Sequence, residues 1–390
     1  MKIALVVSDD LSALLFCKGI IAGFNSIPHA EVHVLCEMTK YRQDLKALDC
    51  IPVEIGAYRF FNPLKDVRYA WRLRRYFREK KIDIVFNFAT KQNIYGTIAA
   101  RFAGVARIYS HVVGRGSAFG DRRDMRGILL RSIVKLLYRV VGSWSHKVWF
   151  TNGNDLRYFI ESGIVCEANT VLTRNYLDAR EYSPAIVSED RLASARAVCG
   201  LGSNEKLVIM VARMIWPKGI REFAEAALML HDSHRFLKFV LVAPLEDGSY
   251  GAVPAEYVRE FENKANFSWV GFQEDVKALY AIAHLAVLPS YYKEGGYPRA
   301  LLEPMAMGKP IITTDTDGCR GTVEDGRNGF LVPPRDSNAL AATIARIIDD
   351  DDLGQRMGRY SRLKALRDFD EKQIVPDALR SLGLPIPSGI

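Results

Sequence analysis

Two carboxylates bracket a glycine-rich turn in the stretch "KEGGYPRALLEPMAMGKPIITTD", residues 293–315. Glu294 stands just before Gly295 and Gly296, and Glu303 lies a turn or so into the apolar helical pattern that follows. Glycine lets the backbone approach a ligand and take positive φ. Pro298 suits the first turn of a helix. The N–H groups of such a turn carry the positive end of the helix dipole and can seat a phosphate. A carboxylate accepts two hydrogen bonds, and a ribose offers two adjacent hydroxyls. Glu303 could grip a ribose in this way, with Leu301, Leu302, Met305 and Ala306 buried beside it, and Glu294 could grip the hydroxyls of a sugar. Two acids near a phosphate would repel it, so cations must be close. "VARMIWPKGIREF" supplies them: Arg213 ends a strand-like run, and Lys218 follows five residues later, before Gly219. A guanidinium and an ammonium converging from one strand–helix turn would clamp a diphosphate.

The elements that must position these residues are legible as alternating runs. "KIALVV", "EVHVL", "DIVFN", "ARIYS", "KVWFT" and "TVLT" read as strands, with helical patterns near 11–24, 63–81, 91–103, 126–142 and 153–162 between them. The pattern restarts with "KLVIMVA", "LKFVLVA", "NFSWV", "HLAVLPS", "PIITT" and "GFLVPP". Alternation of this kind predicts parallel sheets with helices on both faces, and near-continuous apolar strands are what such sheets require. The periodicity breaks around "DAREYSPAIVSEDR", residues 178–191. Two doubly wound domains follow, at 1–184 and 185–369, with a C-terminal helix and tail at 370–390 that should pack loosely or be poorly ordered. Ligands bind at the carboxyl ends of such strands, in a crevice, and most of the candidate residues fall just after strands.

Composition sets the bounds. The chain has 390 residues, 49% hydrophobic and 25% charged, enough for two cores. "MKIALVVSDD" reaches two aspartates before any long apolar run, so no secretory signal is expected, and no uncharged apolar run is long enough to span a bilayer. Six scattered cysteines, with no pair at metal-ligand spacing, read as reduced thiols in a cytosolic chain. Residues 1–185 hold 28 Lys and Arg against 17 Asp and Glu, whereas the remainder is net acidic. The first half should therefore face something anionic.

With the motifs in order, residues 206–333 resemble the nucleotide-sugar domain of the family 4 retaining glycosyltransferases. The matching stretches are "VARMIWPKGIREFAEAA", "VGFQEDVKALYAIAHLAVLPSYYKEG", "YPRALLEPMAMGKPIITTD" and "VEDGRNGFLVPPRD". The resemblance implies an α/β chain of the GT-B fold, two Rossmann-like domains facing a central cleft. It implies that Arg213 and Lys218 bind the donor diphosphate, that Glu303 holds the ribose and that Glu294 contacts the donor sugar. The segment Gly295, Gly296, Tyr297, Pro298 and Arg299 would reach sugar and phosphate, Leu302 would back the site, and Gly271 and Phe272 would line the base pocket. Eight residues separate Glu294 from Glu303, one more than the usual family gap, and the extra residue falls in "GGY". The donor implied is a UDP-sugar. "DTD" at 315–317 looks like a metal-binding Asp-X-Asp, but no other acid or histidine cluster completes a site. Arg213 and Lys218 already supply positive charge, so no obligatory metal or cofactor is expected.

The first half carries the acceptor side in this resemblance. "SHVVGRGSAFGDRR" is similar to the family's acceptor-side loop, with Gly114 and Gly116 at the cleft and His111 facing the reacting sugar. A core histidine is the competing reading of His111. Gly-X-Gly-X-X-Gly is absent, which disfavours a dinucleotide. "NFATKQNIYGTIAARFAGVARI" resembles members that build polysaccharide on lipid carriers. Basic and aromatic residues interleave at 58–81, with Tyr69, Leu73, Tyr76 and Phe77 on one helical face, and basic residues recur with leucines at 122–142. Such helices bind anionic membranes, and domain packing is the alternative. No recognised nucleic-acid motif is present. The expected protein is a peripheral glycosyltransferase on the inner face of the cell membrane, with a lipid-linked glycan as acceptor. The alternatives are a GT-B type nucleotide-sugar epimerase and a non-catalytic nucleotide-sugar-binding protein.

Overall fold

The computed structural model describes residues 1–58, 62–114, 125–246, 249, 251–292 and 294–387. Contacts divide the chain into two units, 1–175 with 371–390, and 176–370. The join expected near 184 thus lies at Asn175 and Tyr176, and the C-terminal segment belongs to the first unit.

The first unit opens with β1 (Lys2–Asp9), α1 (Asp10–Phe16), α2 (Lys18–Asn25), β2 (Glu31–Glu37), α3 (Arg42–Lys46) and β3 (Ile51–Glu54). It continues with α4 (Pro63–Lys80), β4 (Ile84–Phe88), α5 (Thr90–Ala103), β5 (Arg107–Val112), α6 (Met125–Trp144), β6 (Lys147–Phe150), α7 (Gly153–Glu161) and β7 (Thr170–Leu172). Among the described residues its strands form one sheet in the order β3-β2-β1-β4-β5-β6-β7, with every pairing parallel. β1 is buried from Ile3 to Val7 and β4 along its whole length, as a sheet covered on both faces requires. The expected single helix near 11–24 is two helices meeting at Cys17. β3 is a short edge strand carrying Pro52, whose missing N–H is tolerated only at an edge or bulge; that residue hides the strand from a pattern search.

The second unit comprises α8 (Glu189–Cys199), β8 (Lys206–Val211), α9 (Ile220–Leu230), β9 (Leu237–Val242), α10 (Ala255–Glu262), β10 (Phe267–Trp269) and α11 (Val276–Ile282). Then come β11 (Leu285–Leu288), α12 (Arg299–Ala306), β12 (Ile311–Thr314), β13 (Gly329–Val332), α13 (Ser337–Ile348) and α14 (Asp351–Asp368). Its sheet runs β10-β9-β8-β11-β12-β13, again parallel throughout. The order reverses between β8 and β11, which pair through Leu285 with Val208 and Ala286 with Ile209. In open α/β sheets this reversal is where ligands bind.

Through residue 387 the tail expected to pack loosely does the opposite. α15 (Glu371–Ser381) returns to the first unit and packs on α2. Val375, Ala378, Leu379, Leu382, Leu384 and Ile386 are buried. Gly23 of α2 makes room, since a Cβ there would stand 2.4 Å from Leu379 Cδ1. Lys147 donates to the Ser381 carbonyl at 2.7 Å. The apolar residues of the tail win because they bury against a helix that alone would expose its face. Leu379→Ala should cost the first unit about 2–5 kcal/mol, the range for emptying a buried leucine site. Chemical denaturation measures this, and an unchanged midpoint would remove the C-terminal helix from the first unit's core.

Candidate functional site

The reversal in the second sheet sets two post-strand loops side by side. One follows β8 and carries Arg213 and the 3-10 turn Trp216–Lys218. The other follows β11 and carries Ser290 to Tyr297. Their backbones are joined. The Pro217 carbonyl accepts from the N–H groups of Tyr291 and Tyr292, both at 2.9 Å. Gly219 closes the turn at φ 84°, and a Cβ there would lie 2.3 Å from the Pro289 carbonyl oxygen. Only glycine fits that conformation in that space.

This joint holds a charged pair. Lys218 Nζ lies 2.5 Å from Glu294 Oε1, with the side chains only 12% and 8% exposed. Ser290 Oγ donates to the same oxygen at 2.7 Å. A buried charge without a partner is costly, so each charge holds the other in place. The Tyr292 ring lies under both cations, with Arg213 at 5.5 Å and Lys218 at 5.2 Å from its centroid. Arg213 itself is exposed. The structure thus brings Arg213, Lys218 and Glu294 together around Tyr292.

The glycine-rich turn is packed against the loop after β12. Gly296 and Tyr297 have φ of 81° and 50°. The Tyr297 N–H donates to the Gly318 carbonyl at 2.9 Å, and a Cβ on Gly318 would stand 2.4 Å from Glu294 Cβ. Thr314 Oγ1 donates to the Ser290 carbonyl. Cys319 lies buried near Glu294; burial, helped by that carboxylate, pushes its thiol up to about 11 and leaves it unreactive.

Pro298 caps α12 from one position before its first residue, so the expected helical start moves by one. Glu303 Oε1 accepts from Arg299 Nε at 3.1 Å and from the Tyr182 hydroxyl at 3.0 Å. Arg299 Nη2 also donates to Tyr182 Oη at 3.4 Å. Burial opposes the Arg299 charge, but Glu303 and Tyr182 outweigh it and raise its pKa. The Arg299 side chain therefore serves Glu303. Leu301 and Leu302 are wholly buried, so Leu302 supports α12 from the core and shows no surface to a ligand. Gly271, at φ 65°, and the exposed Phe272 form the loop after β10. Asp315 and Asp317 are both paired with Arg320. No group of three or more acids, histidines or cysteines that could hold a metal occurs among the described residues.

In the first unit His111 is wholly buried on β5. Its ring stacks on Trp149, with centroids 4.0 Å apart and planes 2° from parallel, and Phe88 meets it edge-on at 5.1 Å. Neither ring nitrogen has a partner among the described residues, and burial pushes the imidazole down to about 3. His111 is a buried core ring here, in line with the competing reading of its place on the sequence. Gly114 follows β5; Gly116 lies outside the described residues.

The apolar face expected on α4 is also corrected. Tyr69, Leu73 and Phe77 are core, and Tyr76 hydrogen-bonds His33 at 2.8 Å. Basic residues occupy most of the remaining surface, but a second apolar stripe interrupts it. Leu64, Val67 and Trp71 are 85%, 68% and 55% exposed, at i, i+3 and i+7 spacing. On α6, Met125, Ile128, Leu129 and Leu136 are exposed as well. No described helix is long and apolar enough to cross a membrane. Sequence reasoning missed Ser290, Tyr292, Gly318 and Tyr182. Ser290 stood in view at the end of "HLAVLPS"; Tyr182 lies too far from Glu303 in sequence to be paired with it by eye.

The family profile described as "Glycosyl transferases group 1" matches residues 194–364, and that described as "Glycosyl transferase 4-like" matches residues 2–143. The chain is 25% identical over 354 residues to the N,N'-diacetylbacillosaminyl-diphospho-undecaprenol alpha-1,3-N-acetylgalactosaminyltransferase of Campylobacter jejuni, covering 90% of each chain. It is 25% identical over 358 residues to the UDP-Gal:alpha-D-GlcNAc-diphosphoundecaprenol alpha-1,3-galactosyltransferase of Escherichia coli, covering 89% of this chain and 88% of that one. Among solved structures, Alr3699/HepE of Anabaena in complex with UDP-glucose superposes with a TM-score of 0.77 at 18% identity, covering 98% of this chain and 99% of that one. The fold is GT-B.

Gly318→Ala should unseat the loop that carries Glu294. Overpacking of this kind costs about 1–3 kcal/mol. Amide exchange at residues 294–297 should then quicken roughly tenfold by native-state hydrogen exchange, since about 1.4 kcal/mol is a factor of ten. Unchanged exchange would show that the two loops do not support one another.

Proposed function

The chain belongs to the glycosyltransferases of group 1, with a 4-like first half, and we propose that it moves a hexose or N-acetylhexosamine, with retention, from a UDP-sugar to a polyprenyl-diphosphate-linked glycan in cell-surface polysaccharide assembly. One observation carries this reading: Arg213 and Lys218 converge over Tyr292 beside Glu294, at the strand-order reversal of the second sheet. The names of the two relatives support the choice of acceptor, since both name a diphosphoundecaprenol-linked sugar, and one names UDP-Gal as its donor.

Departure of a nucleoside diphosphate builds negative charge on its phosphates. Cations fixed in advance stabilise that charge without reorganising, which is commonly the largest catalytic contribution. An ammonium has three protons to donate, and Glu294 takes one. The others would reach phosphate oxygens, with Arg213 adding a second cation from the solvent side. Glu294 keeps Lys218 aimed and would bind a sugar hydroxyl through its second oxygen. Glu303 would take the ribose. Arg213 and Lys218 supply the charge that a divalent ion supplies elsewhere, and Arg320 neutralises Asp315 and Asp317. No obligatory metal is part of the proposal.

The experiment is a screen of nucleotide-sugars against bacterial lipid extract, following nucleoside diphosphate release. Release that depends on the lipid supports the reading; donor conversion without lipid, or binding without turnover, overturns it. Lys218→Ala should weaken UDP binding by about 1.5–3 kcal/mol, the range for a hydrogen bond to a charged group. Calorimetry checks this, and equal affinity would take Lys218 out of the site.

The acceptor's lipid places the work at a bilayer, and the first unit offers a surface for it. Leu64, Val67 and Trp71 would enter the headgroup region while the exposed Arg68, Arg72, Arg75 and Arg78 meet anionic lipid. The proposed location is peripheral, on the inner face of the cell membrane. A Leu64→Ser, Val67→Ser, Trp71→Ser variant should fail to sediment with vesicles containing anionic lipid. Undiminished sedimentation would exclude α4 as the contact.

A further inference from the structure

Tyr182 belongs to no helix or strand, yet it is held from several sides. It is 6% exposed. The Arg362 guanidinium donates to the carbonyls of Ala179 and Tyr182, both at 2.6 Å, and to that of Ala306 at 2.5 Å. One cation thus ties the segment that begins the second unit to the last residue of α12. Lys277 Nζ pairs with Glu181 at 3.0 Å and lies 4.9 Å from the centroid of the Tyr182 ring. The ring cannot drift, and its hydroxyl reaches Glu303 Oε1 at 3.0 Å. Burial, and then the Glu303 charge, raise the phenol pKa, so it stays a donor.

Both described hydrogen bonds to Glu303 fall on Oε1. A carboxylate held by one oxygen through two donors has its second oxygen fixed in direction. We propose that Tyr182 is a positioning residue for the donor nucleotide: it fixes Glu303 Oε1 so that Oε2 meets the ribose hydroxyls. This rests on the reading that Glu303 holds the ribose. It goes further in making the segment that opens the second unit part of nucleotide recognition. Arg299 alone would leave the carboxylate free to swing, because an i, i+4 pair on one helix constrains only one side of it. The effect belongs to binding and is expected in KM for the donor, with kcat at saturating donor little changed.

The test uses the full chain, with UDP and 2′,3′-dideoxy-UDP as probes in calorimetry. The unmodified protein should prefer UDP by about tenfold or more, equivalent to roughly 1.4 kcal/mol. Tyr182→Phe keeps the ring and removes the hydroxyl. It should weaken UDP several-fold, leave dideoxy-UDP unchanged, and so shrink the preference. A merely structural tyrosine would weaken both probes equally, and that result, or an unaltered preference, overturns the proposal while sparing the ribose reading. An unmodified protein that binds both probes alike, or binds no UDP, overturns the ribose reading and this proposal with it. If Tyr182→Phe proves unstable, Tyr182→Met is flexible, no bulkier than tyrosine and without a donor, and the same shrunken preference is expected.

Discussion

The site depends on the reversal of strand order between β8 and β11. On either side of that line the chain winds away in opposite directions, so no crossover helix covers the gap between the two carboxyl ends. Two loops meet there, and each brings half of a buried ion pair. Such a pair contributes little to stability when desolvation is counted, but removing one partner leaves an uncompensated charge. Lys218 and Glu294 are therefore fixed by mutual need. Gly219 and the Pro217 carbonyl bring the loops close enough for the pair to form. Precision comes from backbone packing, and the charges inherit it.

The two acids play different parts. Glu294 is bound to a cation and a serine hydroxyl within the loop joint. Glu303 is bound to Arg299 and a tyrosine outside that joint. Neither acid stands unpaired. Each is matched locally, and Arg213 remains on the surface with the Tyr292 ring as its support.

Much of this was legible from residue types. Apolar runs separated by helical patterns specify two parallel sheets, because strands buried on both faces need little else. Arg213, Lys218 and Glu294 follow strands that the pattern identifies, so their convergence could be foreseen. Short or atypical elements were not legible: β3 contains a proline, and α1 and α2 divide where no glycine or proline marks the break. Nor was burial legible where two faces of one helix are both apolar. On α4 the pattern finds Tyr69, Leu73 and Phe77, which the core takes, and the exposed Leu64, Val67 and Trp71 become visible only once that face is filled. His111 admits both a cleft and a core reading from sequence, and alternation along β5 turns its ring toward Trp149. The partnership of Tyr182 with Glu303 depends on how the chain enters the second unit, which no local pattern encodes.

The stretch "GGY" is where the chain carries one residue more than the usual family spacing. Gly296 and Tyr297 take consecutive positive φ values there and turn the backbone between Glu294 and α12. Glycine does this freely. Tyrosine does not, and a left-handed non-glycine residue costs on the order of 1 kcal/mol or more. The surroundings over-determine it: its N–H is held by Gly318, its ring lies against Gly321 and 5.2 Å from the ring of Phe369. Gly318 and Gly321 must both lack a Cβ for this to fit. The strain at Tyr297 is thus balanced by packing on its far side, and the near side of the loop is left as the ion pair needs it.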